Sequence, residues 1–161
     1  MPVKKRICFV CLGNIVRSPL AENLFIHLAK QAGVENEYIV DSAGTSAWHE
    51  GEAPDARMRR VAERHGLQYG GSARQFKHSE LDAFDLILAL DRENWSDLNA
   101  MARTPEQRAR IHLLREFDPQ SDGQSNVPDP YYGGIDGFEI TYQIVERSVS
   151  ALLGALQAGE L

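Results

Sequence analysis

Two short, unbroken apolar runs, "ICFV" at residues 7–10 and "LILAL" at 86–90, each give way within a few residues to a helical pattern. Apolar runs of this length suit strands buried on both faces, so the alternation restricts the chain to a parallel α/β sheet. After the first run, Pro19 suits the first turn of a helix with Ser18 as its cap. Leu20, Ala21, Leu24, Phe25, Leu28 and Ala29 then recur at the 3.6-residue period, and Gly33 ends the pattern. A second strand is expected at 38–40, and a helix from about 54 to 65 stopped by Gly66, with Arg57, Arg60 and Arg64 along one side as a solvated face. Asp91 opens a further helix to about Met101, and "RIHLLREF" reads as a fourth strand. The chain closes with a helix over about 137–157, striped by Ile140, Ile144, Val145, Val149, Leu152, Leu153 and Leu156. Four strands joined by right-handed crossovers predict a three-layer sandwich: a four-stranded parallel sheet in the order 2-1-3-4, with helices on both faces. The length of 161 residues, without repeats or linkers, predicts a single domain over 1–161.

Ligands of such sheets bind beyond the carboxyl ends of the strands, beside the first one, where Cys11 falls. The loop "CLGNIVRS" runs from that strand to a helix N-terminus, gathering backbone N–H groups without helical partners at the positive end of the helix dipole. Leu12, Gly13, Asn14, Ile15 and Val16 would shape this cradle for a tetrahedral oxyanion. Arg17 adds a planar fork of donors matched to two phosphate oxygens. The same surroundings favour a thiolate, which makes Cys11 a candidate nucleophile. Gly13 permits close backbone approach or positive φ, and Asn14 tolerates the left-handed region. Ser18 has two readings, as a donor to the Cys11 sulfur and as a plain helix cap.

Phosphoryl transfer also needs a group to protonate the leaving oxygen. Asp129 is the leading candidate, on a long polar loop and restrained between Pro128 and Pro130. Asp118 and Asp122 share that segment, and spacing alone does not separate the three. Tyr131 and Tyr132, with Trp48 from another loop, can wall a pocket for a flat ring.

Other chemistries find little support. The formal net charge of -6 argues against a general nucleic-acid binder, though a local site can still take an anion. Neither GxxxxGK[ST] nor GxGxxG occurs. Cys8 and Cys11 are the only cysteines, and in a strand they point to opposite faces, against a redox dithiol. His27, His49, His65, His78 and His112 show no zinc spacing. No window is apolar and long enough for a membrane span, and a cytoplasmic protein is expected.

Cys-x5-Arg alone would arise by chance in roughly one chain in six of this composition, and a following Ser or Thr lowers that to a few per cent. Three segments in order are far more specific: "CLGNIVRSP", "DSAGTSAWH" and "PDPYYGG". With them the chain resembles the low-molecular-weight protein tyrosine phosphatases over essentially its whole length. The resemblance implies that Cys11 attacks phosphorus to give a cysteinyl-phosphate, Arg17 clamps the transferring group, and Asp129 protonates the tyrosyl oxygen and then activates water, with no cofactor and no metal. It also implies that Asn14 and Ser42 orient the loop, and that Leu12, Trp48, Tyr131 and Tyr132 line the crevice. Partners would be phosphotyrosine proteins, with a tyrosine kinase as a further candidate. Related arginine phosphatases carry threonine where this chain has Ile15, so phosphotyrosine is the expected substrate; arginine phosphatase and a non-catalytic phosphotyrosine-binding module are the alternatives. Arsenate reductases of this fold need cysteines downstream of Cys11, and none exists here. The chain departs from many relatives at Val16, where they carry a second cysteine that can pair reversibly with the first.

Overall fold

The computed structural model describes residues 3–161. Four parallel strands, β1 (Lys5–Cys11), β2 (Tyr38–Gly44), β3 (Leu86–Ala89) and β4 (Ile111–Leu113), form one sheet in the order β2-β1-β3-β4, as expected. The helices are α1 (Arg17–Gln31), α2 (Ala56–Arg64), α3 (Glu80–Ala83), α4 (Arg92–Met101), α5 (Pro105–Ala109) and α6 (Ile135–Gln157). Alternation along the central strands splits the core into two. Ile7, Phe9 and Cys11 of β1 and Leu86 and Leu88 of β3 pack beneath α1, α2 and α6. Cys8, Val10, Ile87 and Ala89 face Phe76, Leu81, Phe84 and Leu98 on the other side. Cys8 and Cys11 thus lie on opposite faces of the sheet, and both are free thiols. Among the described residues, no helix is long and apolar enough to cross a membrane.

Several expected boundaries move, each for a physical reason. Strand β2 continues past Val40 to Gly44, because its pairing with β1 persists until Gly44 lies opposite Cys11. The stretch "RIHLLREF" pairs only over Ile111–Leu113, after which Leu114–Phe117 coils into a 3-10 turn that buries Leu114. Pro54 precedes α2 rather than opening it, since Asp55 is the cap and accepts from the Arg57 N–H at 2.8 Å. Ile140 is 54% exposed, while Phe138, Thr141 and Tyr142 take the inward positions at the start of α6. The short helices α3 and α5 carry too few periodic positions to be legible in sequence.

Asp118 ties the long loop to α6. Its carboxylate is fully buried and accepts from Arg147 at 3.1 Å through both oxygens and from Arg115 at 3.2 Å. Burial opposes its charge, but the bonds from Arg147, the Gln120 N–H and Arg115 outweigh it and hold its pKa below the ordinary carboxylate value. A carboxylate with a depressed folded pKa stabilises the fold above its unfolded pKa, near 3.9, and that contribution disappears as pH falls through the folded value. Asp118→Asn is therefore expected to cost about 2–4 kcal/mol near neutral pH, because two arginines lose their partner. Chemical denaturation between pH 7 and pH 2.5 should show the wild-type advantage shrinking below about pH 4. An equal difference at both ends of that range would refute the assignment.

Candidate active site

The carboxyl end of β1 turns into α1 through residues 12–16, and neighbouring segments pull the carbonyls of this loop away from its centre. The Cys11 carbonyl accepts from the Thr45 N–H at 2.9 Å, that of Leu12 from the Ser46 N–H at 3.0 Å, and that of Ile15 from the Asp55 N–H at 2.8 Å. Backbone donors are thereby left for the cradle, and the Asn14 N–H lies 3.3 Å from the Cys11 sulfur. Asn14 holds the left-handed conformation expected of it, at φ 57°. Gly13 serves close approach: a Cβ there would sit 2.9 Å from the His49 ring. Gly44 does the same from behind, where a Cβ would meet the Leu12 carbonyl oxygen at 2.7 Å.

A chain of hydrogen bonds connects Glu22 to the sulfur. Glu22 of α1 can only accept when ionised, so the Ser42 hydroxyl donates to it, at 2.6 Å. Ser42 Oγ then accepts from Asn14 Nδ2 at 3.0 Å, and Ser18 Oγ accepts from the same amide at 2.8 Å. Ser18 Oγ lies 2.9 Å from the Cys11 sulfur, and its proton can go either to that sulfur or to the Ala43 carbonyl at 3.4 Å. Its position decides between the two readings of Ser18: it lies inside α1, whose N-cap is Val16, and its hydroxyl lies against the sulfur rather than the helix end. Asn14 and Ser42 therefore sit behind the loop and not on the crevice wall. Burial raises the Glu22 pKa, and the Ser42 bond opposes that shift.

Arg17 is buried, 3% exposed. Its Nη1 donates to Asp91 Oδ2 at 2.7 Å and to the Val127 carbonyl at 3.0 Å. Its Nη2 lies 3.6 Å from Asp129 Oδ2. Burial disfavours the guanidinium charge, but Cys11, Asp91 and Asp129 outweigh it and raise the pKa. Asp91 works twice, since its other oxygen caps α4 by accepting from the Asn94 N–H at 2.7 Å. Asp91→Asn keeps a capping oxygen but loses the acceptor for Arg17. We expect kcat/KM for p-nitrophenyl phosphate to fall about tenfold while Tm changes by only a few degrees. Unchanged kinetics would remove Asp91 from the positioning of Arg17.

The loop bearing Asp129 is pinned by the two residues before it. The Val127 N–H donates to the Leu90 carbonyl at 2.8 Å, and the Pro128 carbonyl accepts from Thr141 of α6 at 3.1 Å. Asp129 Oδ1 accepts from the Tyr131 N–H at 3.1 Å. The other two candidate acids lie elsewhere: Asp118 is consumed by Arg115 and Arg147, and Asp122 is exposed and does not line the crevice.

The crevice brings together Cys11, Leu12, Gly13, Ile15, Val16, Arg17, Trp48, Asp129, Tyr131 and Tyr132, and adds Ser46 and His49, which sequence reading missed. Tyr131 is the wall, with Tyr132 edge-on at 4.9 Å and the His49 ring at 6.0 Å. Trp48 and Tyr132 are 82% and 97% exposed, so they form a rim rather than a wall. Arg57, clamped by Asp55 at 2.9 Å, lies 5.3 Å from the Tyr131 ring centre and 4.6 Å from that of Phe138. A thiol, a fixed cation and a carboxylate converge here beneath an aromatic ring, an arrangement suited to displacement on an aryl phosphate.

Comparisons with known proteins bear on the family and the fold. A family model described as low molecular weight phosphotyrosine protein phosphatase matches residues 6–160. A low molecular weight protein-tyrosine-phosphatase of Streptomyces coelicolor is 44% identical over 153 residues, covering 94% of this chain and 93% of that protein. The crystal structure of a protein tyrosine phosphatase from Entamoeba histolytica, with Hepes in the active site, superposes with a TM-score of 0.93 at 35% identity, covering 98% and 100% of the two chains. The structure of a Drosophila arginine phosphatase superposes with a TM-score of 0.86 at 31% identity, covering 94% and 97%.

Proposed function

The chain belongs to the low molecular weight phosphotyrosine protein phosphatase family, and from that membership we propose that its residues 1–161 form one catalytic domain that hydrolyses phosphotyrosine through a covalent phosphoenzyme on Cys11. The observation that carries this reading is the convergence on one crevice of the Cys11 sulfur, the Ser18 hydroxyl at 2.9 Å, the fixed Arg17 and Asp129. The Cys11 thiolate attacks phosphorus in line with the phenolic leaving group. As the P–O bond breaks, Asp129 gives its proton to the tyrosyl oxygen. Arg17 and the loop N–H groups hold the equatorial oxygens, where charge gathers in the transition state. Water then attacks the cysteinyl-phosphate, Asp129 takes its proton, and the S–P bond breaks to return the thiolate, which the Ser18 hydroxyl stabilises as it leaves. The partners are phosphotyrosine proteins, and the protein works in the cytoplasm. Turnover of p-nitrophenyl phosphate in EDTA tests this reading against a module that binds phosphotyrosine without hydrolysis, and absence of turnover would end it.

A second reading, protein arginine phosphatase, is favoured by the likeness to the Drosophila enzyme. Against it stands Ile15, an apolar residue in the crevice lining where the arginine phosphatases carry threonine. Higher kcat/KM on a phosphoarginine peptide than on the matched phosphotyrosine peptide would reverse the order.

Val16 gives the chain a distinct response to oxidation. Cys8 is fully buried on the far face, and burial pushes its thiol well above the ordinary value, so it supplies no thiolate to capture an oxidised Cys11. With peroxide in excess of two equivalents, the first oxidising Cys11 to the sulfenic acid and the second to the sulfinic acid, dithiothreitol is expected to recover only a minor share of activity. Efficient recovery together with a Cys8–Cys11 disulfide by mass spectrometry would contradict this.

A further inference from the structure

The arginines of α2 were read from sequence as a solvated face, and the structure connects that face to the crevice. Helix α2 begins against the phosphate-binding loop, because the N–H of its cap, Asp55, donates to the Ile15 carbonyl. Arg57 leans on Tyr131, the crevice wall, at 5.3 Å. Arg60 and Arg64 follow at helical spacings of three and seven residues, on the same side of the helix and exposed to solvent.

The carboxylates nearest these two arginines along the helix and at its α6 contact are engaged with other groups. Asp55 is taken by Arg57, Glu139 of α6 by His65 at 2.7 Å, and Glu63 accepts from Gln68 at 3.3 Å. Among the described residues, no carboxylate lies within ion-pairing distance of Arg60 or Arg64. The result is a pair of arginines without ion-pair partners, Arg60 and Arg64, on a chain of net charge -6, continuing along the helix from Arg57 at the wall of the crevice.

We propose that this pair docks an acidic segment of the substrate polypeptide, Asp or Glu residues within about six positions of the phosphotyrosine. The inference rests on the phosphotyrosine reading above and adds the sequence context that the enzyme selects. From Arg57 to Arg64 the helix rises about 10 Å, the span of roughly three residues of extended peptide. A substrate whose ring stands against Tyr131 can therefore lay its flanking residues along the arginines. The rest of an acidic protein repels such a segment, so the pair also fixes its direction of approach. Two free arginines are too small a footprint for nucleic acid on a chain of this charge.

The test uses the full chain, a phosphotyrosine peptide with an acidic run, and a matched peptide with Gln and Ser at those positions. The wild-type chain should prefer the acidic peptide by roughly tenfold in kcat/KM at low ionic strength, mostly through KM, with the preference shrinking in about 0.5 M salt. Arg60→Glu/Arg64→Glu should abolish the preference and leave p-nitrophenyl phosphate turnover unchanged; Arg60→Gln/Arg64→Gln should remove most of it with less strain on the helix end. Equal kcat/KM on the two peptides in the wild type, or a preference that survives both double variants, would overturn the proposal. Binding of the same peptides to Cys11→Ser, followed by fluorescence polarisation, reads docking without turnover. Failure of catalysis would then strike the phosphatase reading alone, while tighter binding of an RNA oligonucleotide than of the acidic phosphopeptide would sink the docking assignment.

Discussion

Cys11→Ser is expected to eliminate turnover of p-nitrophenyl phosphate and of phosphotyrosine peptides, lowering kcat by at least about 10⁴-fold while phosphopeptide binding survives. Serine keeps the shape of the site, but a hydroxyl is a far weaker acid and a poorer nucleophile than a thiol. Removal of a nucleophile from a cooperating set costs far more than removal of any one supporting hydrogen bond. Binding should persist if Arg17 and the loop N–H groups hold the oxyanion as proposed. Arg17 is itself fixed by Asp91 at 2.7 Å and Val127 at 3.0 Å, neither of which depends on the sulfur. The decisive measurement is a single-turnover experiment with a ³²P-labelled phosphopeptide quenched in acid. Wild-type protein should trap label on Cys11, and the variant should bind peptide and trap none. Undiminished turnover in the variant would place the chemistry on another residue.

Asp129→Ala should separate substrates by their leaving groups. Protonation of the departing oxygen matters most for a phenol as basic as that of tyrosine, with a pKa near 10, and less for p-nitrophenol. Expected losses in kcat are about 10²- to 10³-fold on phosphotyrosine peptides and roughly tenfold on p-nitrophenyl phosphate. Because Asp129 also faces Arg17 at 3.6 Å, KM for both substrates should fall slightly as a competing carboxylate is removed. Equal losses on the two substrates would mean that Asp129 orients the site without transferring a proton.

The alternation of apolar runs with helical periods carried the sheet order, because strands buried on both faces leave few alternative arrangements. Short and mixed elements were not legible: the strand at Ile111–Leu113 owes its end to a turn that buries Leu114, a decision made by packing rather than propensity. At the site, the contiguous loop was legible because its chemistry is compressed into neighbouring residues. Asp91 was read only as the start of a helix, and its bond to Arg17 bridges 74 positions, which no local pattern reveals. Glu22 sits in a helix where a carboxylate reads as ordinary, and only the Ser42 bond at 2.6 Å gives it a part in the chain of hydrogen bonds behind the loop. His49 joins the crevice because Gly13 has no side chain to keep it out.

The carbonyl that receives Arg17 belongs to Val127, two residues before Asp129, and the N–H of Val127 is anchored on Leu90, the residue before Asp91. For anyone wishing to re-engineer this enzyme, cradle and acid loop are therefore not interchangeable modules. A loop grafted from a relative to alter leaving-group preference would have to keep the backbone at position 127 in register with Leu90, or Arg17 would lose the carbonyl that helps to aim it.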